Sequence, residues 1–176
     1  MIFLVIGTMN SGKSAFAEDL VMKTEGKTKY YLATMKICDE AGKERVNKHR
    51  KMREGKGFIT IEKELDLAGA GSEMESPGEA VVLLECVSNL VGNEMHKDSE
   101  TLKKVMTDPG QKEALAEKIA ADTRTLSEKV KDLVMVTNEY EHDDPGYDEE
   151  TIAYIELLSN VNEKLRGFSD KVFDIR

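Results

Sequence analysis

Gly7-Thr8-Met9-Asn10-Ser11-Gly12-Lys13-Ser14 places a lysine and a hydroxyl directly behind two glycines separated by four residues. With that spacing the backbone can curl until successive N–H groups point inward at a β-phosphate. A helix opening behind it adds the positive end of its dipole. Lys13 then reaches the β- and γ-phosphates as a catalytic cation, and the Ser14 hydroxyl is a ligand for Mg²⁺. GTP or ATP is the expected co-substrate. A cradle of this kind also needs an acidic residue at the end of another strand to hold the magnesium hydration shell. Glu85, closing the run AVVLLE, is the candidate. Glu139, ending LVMVTNE, is a second strand-end carboxylate, and it either faces an acceptor or caps the next turn.

The other chemical segment is cationic. Residues 43–56 (KERVNKHRKMREGK) are dense in Lys and Arg and carry one histidine, His49. A charge run on a helix is ordinarily a solvated face. This one follows the second expected strand, so it can sit near the cradle, and its sign opposes that of the rest of the chain, which would focus a triphosphate toward it. A histidine among cations favours the neutral imidazole, a competent nucleophile. Arg50 and Arg53 could then clamp phosphate oxygens.

The elements that must position these residues follow from the apolar pattern. Strands are expected over 2–6, 30–33, 58–61, 80–84, 133–137 and 172–175, several of them apolar throughout. Helices are expected over 13–23, 39–54, from about Val87, over 111–132 behind the breaker Asp108-Pro109-Gly110, and over 151–165. Residues 69–78 (GAGSEMESPG) and 142–146 (HDDPG) read as loops. The alternation predicts a single α/β domain over 1–176: a P-loop NTPase (RecA-like) three-layer sandwich with a mostly parallel central sheet.

Composition removes other classes. A formal charge of −9 over 176 residues lacks the basic footprint of a nucleic-acid binder. Cys38 and Cys86, with 47 residues between them, fit two reduced thiols better than a disulfide framework or zinc cluster. The N-terminal apolar run is too short for a signal peptide, and no stretch reaches the ~20 apolar residues of a membrane helix. The expected location is the cytoplasm.

The P-loop GTMNSGKS (7–14), YLAT (31–34), RVNKHRKMR (45–53), TIE (60–62), LLECVSNLVGN (83–93), VTNE (136–139) and VNEKLRGFSDKVF (161–173) together resemble one family. It is the adenosylcobinamide kinase/adenosylcobinamide-phosphate guanylyltransferase family of cobalamin biosynthesis. Most specific are the Arg-x-x-x-His-Arg-x-x-Arg element and VTNE. The resemblance implies phosphorylation of adenosylcobinamide by ATP or GTP. It also implies transfer of GMP from GTP to adenosylcobinamide phosphate through a guanylylated histidine, here His49. By the same matching Thr34, Arg50, Arg53, Glu62 and Glu85 contact the guanine nucleotide, and the protein is a homotrimer. The chain departs from the family in lacking a tryptophan after the histidine element, where Phe58 stands. It also departs after VTNE, where an acidic stretch replaces an arginine-containing one. A divergent kinase with one activity and a non-catalytic nucleotide-binding regulatory protein are the alternatives on the same motifs.

Overall fold

The computed structural model describes residues 1–25, 28–141 and 144–176. Its strands are β1 (Ile2–Gly7), β2 (Thr28–Ala33), β3 (Phe58–Glu62), β4 (Ala80–Glu85), β5 (Asp132–Asn138) and β6 (Lys171–Ile175). They form one sheet in the order β3-β2-β4-β5-β1-β6, every pair parallel. Successive side chains on a strand point to opposite faces, and here both faces are covered. Leu4, Ile6, Leu32, Val82, Leu84 and Met135 enter one core. Their chain neighbours Phe3, Val5, Tyr31, Leu83, Val134 and Val136 enter the other. That double burial is why these strands read as continuous apolar runs.

Helix α1 (Lys13–Met22) seals the smaller core with Ala17 and Val21. The larger core is sealed by α3 (Val87–Met95), α4 (Ser99–Thr107), α5 (Pro109–Lys129) and α6 (Glu149–Phe168). The expected three-layer α/β architecture is therefore present, with a sheet that is wholly parallel among the described residues. Helix α2 (Glu40–Arg53) is built differently. Only Gly42 and Arg53 are buried in it. Without an apolar stripe, it is held by polar contacts rather than by core packing.

Several boundaries differ from expectation. Much of the 69–78 loop is wound into 3-10 turns, Leu67–Glu73 and Pro77–Glu79. Asp108 caps α5 by accepting from the Gly110 and Gln111 amides, so the helix starts at Pro109 and ends at Lys129, not at residue 132. The α4 helix adds an element that the apolar pattern did not announce. Within the expected loop 142–146, residues 142–143 lie outside the described residues.

Gly7 marks where β1 must stop carrying side chains. It pairs with Ile175 on β6, and a Cβ built on it would lie 1.7 Å from the Ile175 carbonyl oxygen. Gly7→Ala is expected to cost about 1–3 kcal/mol, the usual range for overpacking, read from the midpoint of urea unfolding.

His96 ties α3 to α6. Nδ1 meets the Gly92 carbonyl and Nε2 meets Glu150. Partial burial opposes protonation, but the hydrogen bonds to Glu150 and Gly92 outweigh it and raise the imidazole pKa. Because the folded value is raised, the pair stabilises the fold fully below the unfolded value of about 6.5 and loses that contribution as pH rises through the folded value. The pair is half exposed, so the effect is small. Thermal melts should show His96→Gln losing more stability at about pH 6 than at about pH 8.

Candidate nucleotide site

After Gly7 the chain turns through Asn10 (φ 58°) and Gly12 (φ 88°), both left-handed, before α1 begins. Glycine takes that conformation freely and asparagine tolerates it. The turn aims the start of α1 back across the loop. Asp39, Cys86, Asp98, Asp108 and Asp148 each accept a first-turn amide at the head of α2 to α6. Among the described helices α1 alone lacks such a side-chain cap. Its leading N–H groups are left to an anion.

Lys13 folds back over this loop. Its ammonium donates to the Thr8 carbonyl and lies 3.4 Å from the Ser11 hydroxyl. Burial lowers its pKa, with the negative charge of neighbouring Glu85 opposing. A phosphate in the loop would supply the counter-charge that the lysine now takes from a carbonyl dipole.

Glu85 ends β4 and is only 8% exposed. One oxygen accepts from the Ser14 hydroxyl; the other accepts from the Tyr31 hydroxyl at 2.7 Å and lies 3.8 Å from His49 Nδ1. Burial and then Glu85 push the Tyr31 phenol pKa up, so it stays a donor. The Arg53 guanidinium stacks on the other side of this connection, its carbon 3.3 Å from the Tyr31 ring centroid. A path of direct contacts thus runs from α1 through β4 and β2 to α2. Further along the chain, Lys56 reaches the fully buried Glu18 of α1 at 2.9 Å.

These elements enclose a cavity of about 500 Å³, a size that takes a nucleotide. Met9, Asn10, Ser11, Gly12, Lys13 and Ser14 line its floor, and Arg45, Lys48, His49, Arg50 and Arg53 line one wall. Two of the wall's polar atoms, His49 Nδ1 and Arg53 Nη1, are buried without a hydrogen-bond partner. At the mouth Arg50 Nη2 lies 3.5 Å from the exposed Glu62 carboxylate. The structure therefore brings His49, Lys13, Ser14, Arg50, Arg53, Glu62 and Glu85 to one cavity.

Four sequence candidates stand elsewhere. Gly7 and Thr8 support the loop from behind: the Gly7 carbonyl accepts from the Glu139 amide and the Thr8 carbonyl from Lys13. Thr34 is fully buried and outside the cavity lining. Its hydroxyl donates to the Cys86 carbonyl and accepts the Cys86 amide, while Asn93 holds its carbonyl. Neither role left open for Glu139 is seen in the geometry. Its carboxylate pairs with Arg176 outside the large cavity. Tyr31 is the residue the motif reading missed as a site residue. A tyrosine in an apolar strand reads as core, and nothing in the local sequence points to a carboxylate 54 positions away.

The oxygen pair Ser14 and Glu85 suits a hard cation. Among the described residues no group of three or more His, Cys, Asp or Glu could hold a metal. Mg²⁺ is a cation of the kind that can be held through one or two protein oxygens, with phosphate and water completing its shell.

Comparison with known proteins agrees with this chemistry. The family model for cobinamide kinase/cobinamide phosphate guanyltransferase matches residues 3–175. A search of curated proteins finds no match. Among solved structures, the chain is similar to a prototypical ATPase from the type III secretion system of pathogenic bacteria, at 9% identity and a TM-score of 0.59. The match covers 98% of this chain and 50% of the ATPase, so the chain spans about half that protein's length and shares its fold. No helix among the described residues is long and apolar enough to cross a membrane. Because the family model covers nearly the whole sequence, the chain belongs to the cobinamide kinase/cobinamide phosphate guanyltransferase family.

Tyr31→Phe deletes the hydroxyl and keeps the ring under Arg53. Loss of a hydrogen bond to a buried carboxylate should cost about 1.5–3 kcal/mol, measured by urea unfolding. An unchanged midpoint would mean that Glu85 is held without Tyr31.

Proposed function

From that membership we propose that the protein phosphorylates adenosylcobinamide with ATP or GTP and then transfers GMP from GTP to adenosylcobinamide phosphate. A guanylyl group on His49 carries the GMP, and the product is adenosylcobinamide-GDP. The observation that supports the reading best is the position of His49. Its imidazole stands 3.8 Å from the carboxylate that accepts the hydroxyl of Ser14. The phosphate cradle and the nucleophile therefore belong to one cavity.

In the kinase step the acceptor hydroxyl oxygen forms a bond to the γ-phosphorus. The bond from that phosphorus to the bridging oxygen breaks, the nucleoside diphosphate leaves with the electron pair, and the hydroxyl proton is released to solvent. Lys13 and the α1 amides stabilise the charge on the transferring group and the leaving oxygen. Ser14 and Glu85 would hold Mg²⁺, which would supply neutralisation of the phosphate charge.

In the second reaction a His49 nitrogen bonds to the α-phosphorus of GTP and pyrophosphate departs with the electron pair. With Nδ1 facing Glu85 at 3.8 Å, Nε2 is the nitrogen left to attack. A phosphate oxygen of the acceptor then displaces the imidazole, breaking the N–P bond. Arg50 and Arg53 hold the α-phosphate oxygens. Glu62 at the mouth is a carboxylate of the kind that accepts the ring N–H and amino groups of guanine. A homotrimer in the cytoplasm is part of the same proposal.

Two labels separate the steps. With GTP labelled at the α-phosphate, wild-type protein should acquire acid-labile, base-stable label, and His49→Ala should acquire none. With label at the γ-phosphate, Lys13→Ala should lose about 10²–10³ in transfer to adenosylcobinamide. Absence of both labels would leave nucleotide binding without chemistry.

A further inference from the structure

We propose that the cavity wall formed by Asn89, Asn138 and Tyr140 binds the acceptor alcohol of the phosphoryl transfer and selects an uncharged or cationic one. The inference rests on the kinase half of the function proposed above. It concerns residues that neither the cradle nor the histidine helix uses.

The cavity has two chemically unlike walls. On one side α2 presents Arg45, Lys48, Arg50 and Arg53, which suit the charged oxygens of a polyphosphate. On the other side stand Asn89 of α3, Asn138 at the end of β5, and Tyr140 just beyond it. None of these three carries a charge. The strand order fixes their position. β5 lies between β4 and β1, so Asn138 is in register with Gly7, and Val136, two residues earlier, is in register with Glu85. The uncharged wall therefore rises directly beside the cradle and the metal-side carboxylate, where the group receiving a γ-phosphoryl must come.

This wall is built and yet unsatisfied. The Asn138 amide donates to Ser88 Oγ at 3.2 Å, its carbonyl accepts from Asn162 at 3.1 Å, and its Nδ2 donates to the Tyr140 hydroxyl at 3.3 Å. Tyr140 packs against Tyr154, whose hydroxyl donates to the Ser88 carbonyl at 3.0 Å. Partial burial raises the Tyr140 pKa, so its hydroxyl remains protonated. Against this fixed frame, the Asn138 side-chain oxygen and the whole Asn89 carboxamide have no protein partner among the described residues. A carboxamide pair offers an acceptor for an alcohol O–H and a donor for its lone pair. Neither carboxamide is a base, so the wall binds and orients.

Charge sets the acceptor class. The segment that continues from this wall carries Glu141, Asp144, Asp148 and Glu149, besides Glu139 and Glu150, which pair with Arg176 and His96. A carboxylate or phosphate approaching from that side meets like charge, which disfavours it, whereas a neutral or cationic alcohol does not.

The test is steady-state γ-phosphoryl transfer by the full chain with Mg²⁺, nucleotide and adenosylcobinamide, each substrate titrated in turn. Asn89→Ala and Asn138→Ala should each raise the acceptor KM about tenfold, the loss of one hydrogen bond. The nucleotide KM should stay within about twofold, and so should α-label transfer to the protein, which needs no acceptor. Among the described residues the Asn89 side chain has no partner, so its variant reads binding even where Asn138→Ala loosens the loop. An unchanged acceptor KM in Asn89→Ala, or a nucleotide KM rising by the same factor, overturns the inference. Wild-type protein that phosphorylates no adenosylcobinamide overturns the proposed function itself, and the ligand assigned to this wall falls with it.

Discussion

Glu85 is a carboxylate at the end of a central strand, more than nine-tenths buried, and its burial costs several kcal/mol unless donors surround it. The fold supplies two hydroxyl donors, Ser14 from the first turn of α1 and Tyr31 from the neighbouring strand β2, and the His49 imidazole faces the carboxylate from α2 at 3.8 Å. Each of the three has a second role. Ser14 belongs to the phosphate cradle, Tyr31 is the floor on which Arg53 rests, and His49 is the nucleophile of the proposed guanylyl transfer. Satisfying one buried acid thus fixes the relative placement of the cradle and the histidine helix.

This dependence explains how a helix with almost no apolar face finds its place. α2 buries Gly42 and Arg53 and little else, so hydrophobic packing gives it no strong register. Its position follows from Arg53 over Tyr31, Arg50 beside Glu62, and Lys56 on the buried Glu18 just past its end. Arg50 and Arg53, with Arg45 and Lys48, line a cavity in a protein of net charge −9. Local sign therefore concentrates an anionic substrate where the whole molecule would repel it.

What was legible in the sequence had a mechanism confined to neighbouring residues. Gly12 must take a positive φ and Gly7 must let β6 pass, so the cradle is spelled out in eight consecutive positions. The strands of the sheet are buried on two faces, so β1, β4 and β5 appear as unbroken apolar runs. Where the signal was weak, the reading fell short. α4 is only nine residues long, and its apolar stripe is the single i, i+3, i+4 set Leu102, Val105 and Met106, too short a signal to mark a separate helix. The 67–79 region winds in turns too short to show a period. Tyr31, Asn89 and Asn138 look like ordinary strand and helix residues until the topology assembles their partners. Thr34 was matched to nucleotide contact by resemblance, yet its hydroxyl is spent on the Cys86 backbone.

The central claim is that one bound nucleotide can be addressed at both ends by a site assembled around Glu85. A crystal structure with Mg²⁺ and a GTP analogue that cannot be cleaved between the α- and β-phosphates tests it most directly. The account predicts the β- and γ-phosphates on the Gly12–Ser14 amides, with a His49 nitrogen at about 3–3.5 Å from the α-phosphorus, the separation of a near-attack arrangement. An analogue seated on the cradle with His49 and Arg53 touching none of its phosphates would contradict it.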